Sequence, residues 1–216
     1  MDNYKETFET WNKIAKIYQD KFMDLNLYDE TYDFFCEILE SENTKILEIG
    51  CGPGNITKYV LSKKPNLRIE GIDVAPKMVE LAKINNPLAN FKVMDTRMLN
   101  EINIKFDAII CGFCIPYLSE TDCSKLIIDS KNILTKSGIL YISFVEGDQK
   151  KSGFQSGSTG DRSYFYYHSL ENLERNLFEN NFELIKLFKV NYPKGENYEI
   201  HTVIVARKTS TLQEIF

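Results

Sequence analysis

The chain has 216 residues, 43% hydrophobic and 26% charged, with a net charge of −5. That length suits one large α/β core better than two independent ones. No apolar run approaches the roughly 20 residues that span a bilayer, and the acidic balance excludes a surface that attracts nucleic acid as a whole. The start, MDNYKETFETW, lacks a basic stretch followed by an apolar one, which argues against export. Five cysteines, an odd number, read as reduced thiols of a cytoplasmic protein. Cys111 and Cys114 have the spacing of a metal or redox pair, but no second pair completes a zinc site, so no metal is expected.

From the N-terminus, Tyr4, Phe8, Trp11, Ile14, Ala15 and Tyr18 recur at helical spacing, and Tyr32, Phe35, Cys36 and Leu39 do so again, predicting two amphipathic helices within residues 4–40. Residues 45–50 form a short apolar run of the kind buried in a parallel sheet. Strand signals follow at 68–73, 90–95, 106–112 and 138–145, with helical stretches at about 55–62, 76–85 and 120–134 between them. Such alternation implies right-handed crossovers, a mostly parallel sheet and helices on both faces. Residues 147–161 are rich in Gly, Ser and Lys without apolar periodicity and predict a long, lid-like loop. An aromatic extended segment follows at 163–168, then a helix capped by Ser169 that runs to about Asn180. Two strand-like runs, 182–192 and 198–206, close the chain as a hairpin.

The informative stretch is LEIGCGPGN, residues 47–55, between the first strand and the helix that follows it. Gly50, Gly52 and Gly54 omit side chains where the chain turns and a ligand must approach the backbone, beside the free N–H groups of a helix start. A glycine-rich turn alone also serves dehydrogenases. Here the spacing is GxGxG rather than GxGxxG, and Glu48 stands beside the turn, where a carboxylate repels a pyrophosphate but attracts a cationic headgroup. The next strand ends in Asp73, 19 residues beyond Gly54, placed to accept both hydroxyls of a ribose. At that step a dinucleotide site and an S-adenosylmethionine site both remain open. The third strand ends in Met94-Asp95-Thr96, an acid suited to an adenine amine, and the fourth in Cys111-Gly112-Phe113.

With these four strand ends in order, the run from about Lys45 to Val145 resembles the class I S-adenosylmethionine-dependent methyltransferases of small-molecule type. The resemblance implies a Rossmann-like, doubly wound, seven-stranded and mostly parallel sheet, with an antiparallel last strand and an N-terminal helical cap. It implies S-adenosylmethionine as cofactor and S-adenosylhomocysteine as product. Glu48, Gly50, Gly52 and Gly54 would serve the methionine end; Asp73 would take the ribose diol, with Val74 against adenine; Asp95, flanked by Met94 and the backbone of Thr96, would bond the adenine amine; and Cys111 would offer its carbonyl to the methionine amine. Phe113, Pro116 and Tyr117 would line the methyl-transfer cavity, and Tyr18 would close over the cofactor. An activated donor requires alignment more than a strong catalytic side chain. No catalytic residue is marked, and the candidates are His168 and Tyr117. His168 reads more readily as a packing residue and gains interest only for an alcohol acceptor, which needs a base. His201 reads as structural, and Phe144, Tyr164 and Tyr166 are candidate acceptor contacts.

One domain over 1–216 is expected: a helical cap at 1–42, a cofactor-binding core at 43–148, a lid at 149–168, and a C-terminal helix and hairpin at 169–216. The expected partner is a small-molecule acceptor, with neither specific nucleic acid nor membrane, in a monomer or homodimer. The rival readings are a non-catalytic S-adenosylmethionine-binding module acting through partners and an NAD-dependent oxidoreductase.

Overall fold

The computed structural model describes residues 3–209, so the expected domain limits at 1 and 216 lie outside the described residues. Helices α1 (Asn3–Phe22) and α2 (Asp29–Glu37) precede an alternating series: β1 (Lys45–Ile49), α3 (Asn55–Lys63), β2 (Arg68–Asp73), α4 (Pro76–Asn85), β3 (Asn90–Val93), β4 (Phe106–Cys111), α5 (Glu120–Ile133) and β5 (Leu134–Val145). There follow a small hairpin, β6 (Gly153–Ser156) and β7 (Arg162–Phe165), then α6 (Leu170–Glu179) and a long hairpin, β8 (Phe182–Lys194) and β9 (Asn197–Lys208).

The main sheet has seven strands in the order β3-β2-β1-β4-β5-β9-β8. Strands β1 to β5 pair in parallel, and β9 runs antiparallel between β5 and β8. The expected Rossmann-like sheet with an inserted antiparallel strand is the one observed. Chain order reverses between β1 and β4, and open α/β sheets bind ligands outside the carboxyl ends of the strands at such a point.

Alternation along the strands divides the core. Leu47, Ile49, Ile109 and Cys111 join Leu126, Ile127, Leu173 and Leu177 from α5 and α6, whereas Ile46, Ala108 and Ile110 join Phe35, Ile56 and Val60 from α2 and α3. Glu48 points to the second face with its side chain buried, a carboxylate placed where Ile or Val would be expected.

The expectation of a long loop requires correction. Within 147–161, β6 pairs with β7 in register Phe154↔Tyr164, and the turn is closed by the Gly157 N–H donating to the Asp161 carbonyl at 2.8 Å. Four-residue strands are too short to show a period, so the sequence shows only the polar turn. The hairpin holds α1 in place: Thr10 Oγ1 donates to the Arg162 carbonyl at 2.7 Å, and the Tyr164 N–H donates to Thr7 Oγ1 at 2.9 Å. Arg162 also pairs with Glu6. The cap is thereby fixed over the carboxyl ends of the strands rather than left as a separate lobe.

Candidate functional site: two joined cavities under helix α1

Between α1 and the tips of β1, β2 and β4 lies a cleft of about 770 Å³. Its lining includes Gly50, Gly52, Asp73, Val74, Asp95, Thr96, Phe113, Tyr117 and Tyr18, nine of the residues expected to matter. A second cavity of about 1020 Å³ adjoins it, and the two share Trp11, Tyr18, Gly50, Gly52, Gly112, Phe113 and Tyr117.

The glycine turn is organised by Asp73. Gly52 N–H donates to Asp73 Oδ2 and Ala75 N–H to Oδ1, each at 2.9 Å. Burial raises the Asp73 pKa, and the backbone donors partly offset that rise. A carboxylate offers about four lone-pair sites, so these donors leave capacity for a ligand hydroxyl. Gly50, Gly52 and Gly54 have φ of +67°, +50° and +81°, the left-handed region.

Gly54, expected at the ligand, is instead a packing position. A Cβ there would collide with Asn86 Nδ2 and reach Ala82 at 3.3 Å, while Asn86 Nδ2 donates to the Gly54 carbonyl at 2.9 Å. The missing side chain admits α4, not a ligand.

Glu48 lies behind the turn and lines neither cavity. Its Oε2 accepts from Thr57, while Oε1 is buried without a partner. Burial pushes its pKa up to about 8; the Thr57 hydrogen bond lowers it in part, and the nearby Asp73 charge raises it. Trp11 Nε1, at the shared wall, is a second buried polar atom without a partner. An orphan acceptor and an orphan donor beside an acidic, glycine-lined cleft fit a ligand with an amino-acid end.

Asp95 is already engaged. Arg97 donates to it from the backbone at 2.9 Å and from the guanidinium at 2.6–3.1 Å. Burial alone would raise this carboxyl, but the Arg97 hydrogen bonds and charge outweigh it and hold it below the usual range. The same guanidinium lies 4.1 Å from the Tyr4 ring centroid and 5.6 Å from that of Phe8, tying the start of α1 to the tip of β3. Arg97 had no motif to announce it.

Other expectations are redistributed. Met94, just beyond β3, packs half-buried against the core and the Cys111 side chain is buried in it, so neither side chain lines a cavity; the role expected of Cys111 belongs to its backbone carbonyl at the end of β4. His168 is buried, with Nε2 3.1 Å from the carbonyls of Ile115 and Leu118, and the structure brings it to neither cavity. Two carbonyl acceptors require Nε2 to carry a hydrogen, so it is a brace for the turn that holds Pro116 and Tyr117. Phe144 is wholly buried in the core, and Tyr164 and Tyr166 stack outside the cavities. Phe165 and Gln155 from the small hairpin line the second cavity in their place. Tyr117 stands at the shared wall, edge-on to Trp11 at 5.0 Å and to Phe165 at 5.9 Å.

Phe113 has φ +54°, an outlier for a bulky residue, with its N–H held by Ser143 Oγ at 2.8 Å. His201, read as structural, lines the second cavity beside it, their ring centroids 4.9 Å apart. Its position inside a strand concealed this, since strand sequence does not say which face meets a cavity.

Comparison with known proteins agrees with the fold. Residues 46–138 match the family described as a methyltransferase domain. A protein of Invertebrate iridescent virus 6 named as a methyltransferase is 30% identical over 136 residues, covering 63% of this chain and 49% of its own length. Demethylmenaquinone methyltransferase of Thermotoga maritima is 30% identical over 105 residues, covering 49% and 45%. The chain thus spans about half the length of each of these two relatives. Among solved structures, 1,6-didemethyltoxoflavin-N1-methyltransferase of Burkholderia thailandensis superposes with a TM-score of 0.71 at 18% identity, over 95% of this chain and 88% of that one. The strand order, the glycine turn and these matches together make residues 46–138 similar to a methyltransferase domain, on a sheet of the kind that class I S-adenosylmethionine-dependent methyltransferases share.

Proposed function

We propose that this protein binds S-adenosylmethionine in the first cavity and catalyses transfer of its methyl group to a small molecule held in the second. The observation that carries the reading is the shared wall: one glycine turn and one set of aromatic rings bound both cavities, so ligands in the two would meet at Gly50, Gly52 and Phe113. The cofactor, when bound, supplies an activated methyl group.

The chain's own residues would bind, orient and exclude water. Asp73 would accept the ribose hydroxyls on its remaining lone pairs, Val74 and Met78 would face the adenine, and the Asp95–Thr96 edge would meet its rim. Glu48, which lines neither cavity, would act on a cationic amine from behind the glycine turn, by its charge rather than by direct contact. Trp11, Tyr18 and Tyr117 close the junction against water. In this proposal residues 1–42 act as cap, 43–148 as cofactor core, 149–168 as the rest of the roof and 169–216 as support for the acceptor cavity. Among the described residues no helix is long and apolar enough to cross a membrane.

The reading is tested by incubating the protein with S-adenosylmethionine carrying a labelled methyl group and a panel of small acceptors. Label transferred to an acceptor supports it. Cofactor binding without transfer to any acceptor, or to a protein partner, would favour a binding module.

A further inference from the structure

The second cavity is walled by Trp11, Phe22, Tyr28, Phe113, Phe165 and Tyr192, a set of rings suited to a flat ligand. Among the described residues, no Lys or Arg lines it. Glu199, its one carboxylate, is paired with Lys194. Nothing there compensates an anionic acceptor, which would have to shed its hydration unpaired.

Its polar focus is His201. Tyr28 Oη lies 2.6 Å from Nδ1, which leaves Nε2 as the ring nitrogen available to a ligand. The imidazole stacks on Tyr192, with centroids 4.6 Å apart and planes 5° from parallel, and its plane lies 1° from that of Tyr28. Three contacts therefore fix the ring at the side of the cavity that Phe113 separates from the cofactor cleft.

Resting on the methyltransferase reading above, we propose that the acceptor is an uncharged planar aromatic molecule bearing a phenolic O–H or ring N–H, and that His201, oriented by Tyr28, accepts the proton this group releases. In the tautomer required, Nδ1–H donates to Tyr28 Oη and Nε2 carries the free lone pair. The acceptor heteroatom gives its lone pair to the methyl carbon as the methyl–sulfur bond breaks with its electrons to sulfur, and its proton passes to Nε2, then to solvent. Burial holds His201 down to about 4, so the ring is neutral near pH 7; Glu199 raises it and Lys194 lowers it more weakly. Tyr28 and Tyr192 pack against it and Tyr18 lines the same cavity; burial holds the Tyr18 and Tyr28 hydroxyls above their ordinary range. A weak base suffices, because the heteroatom becomes strongly acidic as the new bond forms.

The first test is titration of the S-adenosylhomocysteine-loaded protein with 2-naphthol, 2-naphthoate and cyclohexanol. We expect 2-naphthol to bind at least tenfold more tightly than either. His201→Leu should weaken 2-naphthol tenfold or more while leaving S-adenosylhomocysteine affinity within twofold, and Tyr28→Phe should give a smaller loss. Absence of 2-naphthol binding, equal binding of all three, or an unchanged affinity in His201→Leu would overturn the proposal. The proton role is then read from methyl transfer from S-adenosylmethionine to 2-naphthol. His201→Gln should slow it about 10²-fold or more, and the deficit should shrink as pH falls through 4, where the wild-type imidazole is protonated and no longer accepts a proton. A deficit constant with pH, or a wild type that binds 2-naphthol without methylating it, contradicts the base. Failure of the wild type to bind S-adenosylhomocysteine would strike the methyltransferase reading itself, and this proposal with it.

Discussion

The Gly52 N–H donates to Asp73 Oδ2 at 2.9 Å, so one carboxylate both shapes the glycine turn and faces the cofactor cleft. Asp73→Ala removes both functions, whereas Asp73→Asn keeps an acceptor oxygen. We expect Asp73→Asn to remain folded and to lose about 1.5–3 kcal/mol of cofactor affinity, roughly ten- to a hundredfold. Asp73→Ala should lower the melting temperature as well. Calorimetric titration and thermal melts separate the two effects, and an unchanged affinity in both variants would remove Asp73 from the site.

Gly52 and Gly54 have similar backbone angles but different surroundings. A Cβ on Gly52 meets nothing nearer than Tyr18 Cε1 at 3.7 Å, whereas one on Gly54 drives into Asn86. Gly52→Ala should cost about 1–2 kcal/mol of stability, the left-handed strain alone, and should weaken cofactor binding by intruding on the cleft. Gly54→Ala should destabilise further while leaving the affinity of the folded fraction nearly unchanged. Equal effects of the two on affinity would show that Gly54 does face the ligand.

Arg97 joins Asp95 to the rings of Tyr4 and Phe8, and so bridges β3 to the cap. Arg97→Met should loosen the start of α1 and raise the cofactor off-rate about fivefold, the scale of a cation–π contact of about 1 kcal/mol. Stopped-flow displacement of S-adenosylhomocysteine measures this. A slower off-rate would instead mean that Arg97 competes with the adenine for Asp95.

Glu48 and His201 act on stability at opposite ends of the pH range. The Glu48 pKa is raised by burial from 4.5 to about 8, so its contribution is full below 4.5 and is lost as pH rises toward 8. The His201 pKa is lowered by burial from 6.5 to about 4, so its contribution is full above 6.5 and is lost as pH falls through 4. Melting temperature against pH should therefore fall on both limbs. Glu48→Gln should flatten the alkaline limb and His201→Leu the acid one; a variant that leaves its limb unaltered refutes that assignment.

Much of this architecture was legible because the strands end in residues with chemistry that strands do not need. Asp73, Asp95 and the glycine turn are costly in a core and so mark the ligand side of the sheet. What stayed hidden depended on pairs distant in sequence. His201 faces a cavity only because the final hairpin inserts beside β5, and Arg97 matters only because Tyr4 and Phe8 arrive from the other end of the chain. Gly54 misled because packing against α4 and proximity to a ligand demand the same missing side chain. Phe144, Tyr164 and Tyr166 misled because aromatic residues pack against the core and one another as readily as against a substrate.

The most direct measurement is calorimetric titration of the purified protein with S-adenosylmethionine, S-adenosylhomocysteine and NAD in parallel. The account predicts saturable binding of both adenosyl ligands at one site per chain, abolished or greatly weakened by Asp73→Ala, and no binding of NAD. Binding of NAD alone, or of none of the three, would contradict it.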